Sequence, residues 1–191
     1  MVIRIAALVL VFPALALAQT HVVGYGGAMW RLQASRLDFT SFRSGPISTV
    51  SPVLGAGAAT SLWKIRVDGA FLWSPTGEKE VFLGPNRSVE QKTQGTALTA
   101  DAGGGWPLLK VWGFQTIVRG GYGWARVRVP TQIQIEESRH FWNYGVAATK
   151  NISSRYLLRI DVRNIHFRRE EVPQTLGRSN IATLAGVGFR W

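Results

Sequence analysis

The carboxyl-terminal stretch constrains the fold most. It reads Asn180-Ile-Ala-Thr-Leu-Ala-Gly-Val-Gly-Phe-Arg-Trp191. Ile181, Thr183, Ala185, Val187, Phe189 and Trp191 share one period-two face. Asn180, Ala182, Leu184, Gly186, Gly188 and Arg190 share the other. Such alternation predicts a strand with one apolar face and one crowded or wet face. No polar tail follows the final aromatic, so the strand is expected to sit in a sheet to its last residue. An apolar edge in water invites pairing with other chains, whereas a closed barrel has no edge. On this stretch alone, the last strand of a soluble β-sandwich fits equally well.

The amino terminus adds export. A short basic start ending at Arg4 precedes an apolar run over residues 5–17, broken only by Pro13, and Ala16-Leu-Ala18 closes it. Small residues at Ala16 and Ala18 are what signal peptidase accepts, so residues 1–18 are read as a cleavable signal peptide. The run is shorter than the roughly 20 residues that a spanning helix needs. Residues 19–191 are then one domain. After the signal no apolar run is long enough for a helical span, and with no cysteine a disulfide-stapled module is excluded.

Further along, the period-two pattern recurs. Residues 21–36 read as a first strand of uncertain register, and residues 37–48, with Gly45-Pro46, read as a loop. Alternation returns over residues 49–62, and almost at once over 64–74. There Ile65, Val67, Phe71 and Trp73 oppose Lys64, Arg66, Asp68 and Ser74. Residues 75–94 are polar and are expected to be a long loop. Residues 96–106 and 111–125 alternate again. Residues 126–139 are polar, yet Val127, Val129, Ile133 and Ile135 suggest strands that run on past a membrane. Residues 141–150 and 156–167 follow, and residues 168–179 form the last loop.

The connections therefore alternate long and short. Long loops at one end and tight turns at the other are the habit of outer-membrane barrels. The expected fold is all-β: a transmembrane up-and-down antiparallel β-barrel, most simply of eight strands. The non-apolar face carries Gly, Ala, Ser and Thr with single charges, which suits the narrow interior of such a barrel. Tryptophans recur near strand ends, where an interfacial girdle wants an indole. The inward row is expected to carry Arg66, Asp68, Asp101, Arg119, Arg159, Asp161 and Arg163 as an interior ionic cluster, with Lys64 and Arg190 wet at the periplasmic mouth. A buried guanidinium cannot neutralise and needs a carboxylate, a carbonyl or water, so shared pairs around Asp161 are expected.

The Arg159-Ile-Asp-Val-Arg163 segment and the terminal Leu184-Ala-Gly-Val-Gly-Phe-Arg-Trp191 resemble the small eight-stranded outer-membrane barrels of the OmpA transmembrane-domain, OmpX and opacity-protein type. The resemblance covers the signal peptide and the whole remaining chain. It implies that Ala185, Val187, Phe189 and Trp191 are read by the barrel-assembly machinery. It says little about activity.

Chemistry is sparse. His21, His140 and His166 form no metal motif, and neither a cofactor nor a metal is expected. Ser138 near His140, and His166 itself, are the nearest candidates for lipid-modifying chemistry, and an enzyme is not expected. The formal charge of +11 does not come with a groove of basic and aromatic residues, so nucleic acid is not an expected partner. Arg126, Arg128, Arg139, Arg168 and Arg169 sit where strands would leave a membrane, placed to meet lipopolysaccharide phosphates or merely solvated. The leading function is a structural or surface-interaction role in the cell outer membrane, with external loops touching envelope components or a host surface. A narrow pore for small solutes is the alternative. A lipid-modifying enzyme or a soluble periplasmic ligand-binding barrel ranks lower.

Overall fold

A computed structural model describes residues 20–31, 36–37, 42–46, 50–83, 88–129, 135–168, 172, 176 and 178–191. The proposed signal peptide, with Ala16 and Ala18, lies outside the described residues, as does Arg169.

The described residues form ten strands: β1 Thr20–Arg31, β2 Arg36–Leu37, β3 Phe42–Pro46, β4 Val50–Leu62, β5 Ile65–Leu83, β6 Ser88–Val111, β7 Phe114–Val129, β8 Ile135–Asn151, β9 Tyr156–Phe167 and β10 Ser179–Arg190. Eight of them close a barrel. β1 pairs antiparallel with both β4 and β10, and the meander runs on through β5, β6, β7, β8 and β9. Closure at β1–β10 carries the chain's last strand, with Val22 opposite Phe189 and Trp30 opposite Ile181. The ladders are continuous apart from a register shift between Pro107 and Lys110, and backbone pairing within a closed sheet is the condition for crossing a bilayer with strands.

Three connections at one end are tight. The β6–β7 turn puts Trp112 and Gly113 at φ 49° and 82°, the left-handed pair that a two-residue hairpin demands. Trp63, in the β4–β5 turn, also has a positive φ of 56°. A bulky residue there costs about 1–2 kcal/mol. Both indoles stand almost fully exposed, where an interface would take them.

Two stretches expected to be loops are partly strand. Residues 75–94 continue the β5–β6 ladder to Leu83 opposite Ser88. Their polar composition hid this, because outside hydrocarbon a hairpin needs no apolar face. Within residues 37–48, β3 pairs with the outer part of β5 and carries β2 on its free side.

The two faces of the barrel are chemically inverted relative to a soluble protein. Leu54, Phe71, Tyr144, Val146, Ile160, Val162 and Val187 are all at least two-fifths exposed on the outside. So continuous an apolar exterior suits lipid and would be a liability in water. Inside, the outer half of the lumen is filled by Met29, Val53, Leu72, Phe141, Ile165 and Phe167, with Leu176 from the β9–β10 connection packed onto them. Phe141 and Phe167 meet edge to face at 5.7 Å.

Candidate functional site

The clustered interior charges come from four strands, and a further buried arginine, Arg31 on β1, donates to the Pro75 carbonyl at 3.0 Å outside the cluster. Asp68 is on β5, Asp101 on β6, Arg119 on β7, and Arg159, Asp161 and Arg163 lie along β9. Period-two geometry turns all three β9 residues inward, between the outward Leu158, Ile160, Val162 and Asn164. Room for them comes from their neighbours on adjoining strands. Arg119 lies between Gly105 and Gly145, Arg163 between Gly145 and Ala182, Asp68 between Ala59 and Gly103, and Asp101 between Ala70 and Gly123. A Cβ on Gly145 would fall 2.1 Å from the Val162 carbonyl oxygen and 2.7 Å from the Arg163 Cα. Only glycine permits this approach.

In that space the three guanidiniums and three carboxylates form a closed lattice. Arg163 donates to Asp161 from Nε (3.1 Å) and Nη2 (2.7 Å), and to Asp101 from Nη1 (2.8 Å). Arg159 Nη2 donates to Asp68 (2.5 Å) and Asp161 (3.0 Å). Arg119 donates to Asp161 (3.1 Å) and Asp101 (3.0 Å). Its Nη2 also lies 3.0 Å from Asp68 Oδ1, close enough for charge pairing though not aligned as a hydrogen bond. Asp161 accepts from all three arginines and is 0% exposed. Formal charge sums to zero. Burial is tolerable on that condition, since an isolated buried ion is strongly disfavoured.

Arg66, expected in the cluster, lies beside it, near Arg159 and Asp68. Its guanidinium meets His21 Nε2 and donates to Thr149 Oγ1 at 3.3 Å. It lies nearer the tight-turn end, and among the described residues no carboxylate forms a salt bridge with it. Lys64 is exposed, its ammonium over the Trp63 ring, and Arg190 donates to the Ser154 carbonyl. A cavity of about 90 Å³ at this mouth is lined by Ser61, Lys64, Arg66 and Gln115 among others.

Ala185, Val187, Phe189 and Trp191 face outward on the closing strand, and Phe189 stacks edge-on against Tyr156. Ser138 and His140 both face outward on β8, but His140 stacks on Tyr122 at 5.4 Å with rings 12° apart. His166 instead meets a serine that the sequence did not nominate: its Nδ1 is 2.9 Å from Ser179 Oγ on β10. These positions are register partners across β9 and β10. That pairing joins residues in different strands, so only the register could have revealed it.

Arg126 and Arg128 leave the barrel on β7 and pair with Glu136 of β8, Arg128 at 3.3 Å. The Arg126 hydrogen bond, helped by Arg128, holds the Glu136 carboxyl below its ordinary range. Arg139 donates to the Ser138 carbonyl. Among the described residues no group of three His, Asp or Glu side chains is placed to hold a metal ion.

No protein-family model and no curated protein matches the sequence. Solved structures do match the fold. The outer membrane protein OprG of Pseudomonas aeruginosa is similar at TM-score 0.70 and 8% identity, over 91% of this chain and 96% of that one. Neisserial surface protein A is similar at TM-score 0.60 and 10% identity, over 91% and 96%. Ail, the attachment invasion locus protein of Yersinia pestis, was solved in complex with the heparin analogue sucrose octasulfate. It is similar at TM-score 0.54 and 12% identity, over 91% and 99%. The architecture is thus the eight-stranded barrel of outer-membrane proteins.

Proposed function

We propose that this protein is a non-conducting barrel of the outer membrane, a stalk that holds its external hairpins at the cell surface. The observation that carries the reading is the charge-neutral, buried lattice of Arg119, Arg159, Arg163, Asp68, Asp101 and Asp161 across the lumen. An ion entering it would have to separate pairs held at low dielectric, where they interact most strongly. The apolar packing of Phe141, Phe167 and Leu176 on its outer side would have to open as well.

The long β5–β6 hairpin supports the surface role. A membrane strand needs about 9–11 residues, and β6 has 24. Paired backbone beyond Trp73 extends for roughly 30 Å. The formal charge of +11, or +10 once Arg4 leaves with residues 1–18, fits a polyanionic surface ligand, the class to which the ligand solved with Ail belongs. Lipopolysaccharide would surround the outer half, and the barrel-assembly machinery would read Ala185, Val187, Phe189 and Trp191. Catalysis forms no part of the proposal. His166 and Ser179 make a dyad, but among the described residues no carboxylate orients the imidazole.

Planar-bilayer recording tests the reading. The folded protein is expected to show no steady conductance, and reproducible single-channel steps would replace this function with the pore. Exchanging residues 77–93, which carry three cations and three carboxylates, for a Gly-Asn turn is expected to keep heat-modifiable migration on gels.

A further inference from the structure

The outward face of β7, β8 and β9 changes character with height. At mid-barrel it is Val118, Val146 and Val162, each more than two-fifths exposed. One step outward come Tyr122, Trp142 and Tyr144, with Asn164 donating to the Tyr144 hydroxyl at 2.8 Å. Tyr122 and Trp142 pack edge to face at 5.0 Å. Above them sit His140, stacked on Tyr122, and His166 with Ser179. Last come the cations Arg126, Arg128 and Arg168. A cavity of about 260 Å³ opens at this level, lined by Tyr122, His140, Trp142 and Arg168.

The cations are not equivalent. Arg126 and Arg128 share Glu136, whereas among the described residues no carboxylate pairs with Arg168. Its guanidinium is exposed at the rim of an aromatic-floored cavity that opens sideways, onto the surface that hydrocarbon would cover. A soluble anion would gain nothing from that floor. A lipid would: acyl chains lie against the valine band, the aromatic pair takes the interface, and a phosphate reaches the rim.

We propose that this cavity is a docking site for a phosphate-bearing lipid of the outer leaflet, with Arg168 and His140 taking the phosphate and Tyr122 and Trp142 supporting the first carbons. The inference rests on the outer-membrane placement proposed above but not on the absence of conductance.

Native mass spectrometry of the full barrel in detergent micelles, titrated with bisphosphorylated lipid A, tests it. Wild type is expected to hold one equivalent. Arg168→Gln should weaken binding roughly tenfold, the loss of one charge-assisted hydrogen bond, and Trp142→Ala should weaken it as well. Arg126→Gln, whose side chain is already committed to Glu136, should bind as wild type does. Dephosphorylated lipid A should bind no more tightly than a neutral detergent, and inorganic phosphate should not displace the lipid. Equal binding by wild type and Arg168→Gln, or displacement by inorganic phosphate, would overturn the proposal. Heat-modifiable migration of each variant shows that it is folded. Single-channel steps in wild type would sink the stalk and leave this site standing.

Discussion

Two arginine–carboxylate groups in this barrel differ in what surrounds them. At mid-lumen three arginines and three aspartates close on one another with side chains no more than 6% exposed. At the outer end of β7 and β8, Arg126, Arg128 and Glu136 form the same kind of bond with side chains 31–53% exposed. The inner group balances its charge within itself, its side chains being withdrawn from solvent. The outer group can carry an excess cation because water and salt screen it. Charge count is therefore structural within the six-residue group and adjustable at the outer end.

The largest effect is expected at Asp161. Its removal leaves three buried guanidiniums facing two carboxylates, and Asp161→Ala should cost about 3–5 kcal/mol. Reversible urea unfolding in lipid vesicles measures this. A loss below about 1 kcal/mol would mean that the lumen is wet and the inner group behaves like the outer one. Adding Arg119→Met should recover part of the loss by restoring neutrality.

Gly145 comes next. It flanks both Arg119 and Arg163, and a Cβ there meets the backbone of β9. Gly145→Ala should cost about 1–3 kcal/mol as an overpacking change. If that variant unfolds like wild type, β8 and β9 can separate enough to admit a methyl group, and the lattice is less rigid than its geometry implies.

Arg66 sharpens the contrast from a third position. It is interior, yet its partners are His21 and Thr149 and not an aspartate. Arg66→Gln leaves no stranded carboxylate and should cost only about 0.5–1.5 kcal/mol, the value of an ordinary hydrogen bond. A loss as large as that of Asp161→Ala would place Arg66 electrostatically inside the lattice.

These residues also mark what was legible in the sequence. Alternation in β5 and β9 placed Asp68, Arg159, Asp161 and Arg163 on the inward face, because period two is set by the backbone alone. The β1 register was not legible: Gly24, Gly26, Gly27 and Ala28 carry little side-chain signal, and so His21 could not be seen as the partner of Arg66. The outer β5–β6 hairpin was missed because its alternation has no apolar face to record. Ser179 and His166 met through a register that joins β9 to β10, which no local pattern encodes.

The smallest effect belongs to Glu136, and it is the one that pH can switch. Its carboxyl is held below the ordinary range chiefly by the hydrogen bond from Arg126. A depressed folded value means that the pairing contributes above the unfolded carboxylate value, near 4.3. The contribution then fades as pH falls through the folded value. Glu136→Gln removes it at every pH. The two proteins should therefore differ slightly at neutral pH and converge once the medium is acid enough to protonate the paired carboxylate. About 1 M salt should bring them together at pH 7 as well, since exposed charges are screened over about 3 Å there. Asp161→Ala, by contrast, should stay separated from wild type at any salt concentration, because no counter-ion reaches the lattice. If salt were to close both gaps equally, the inner charges would be solvated and the lumen would be open.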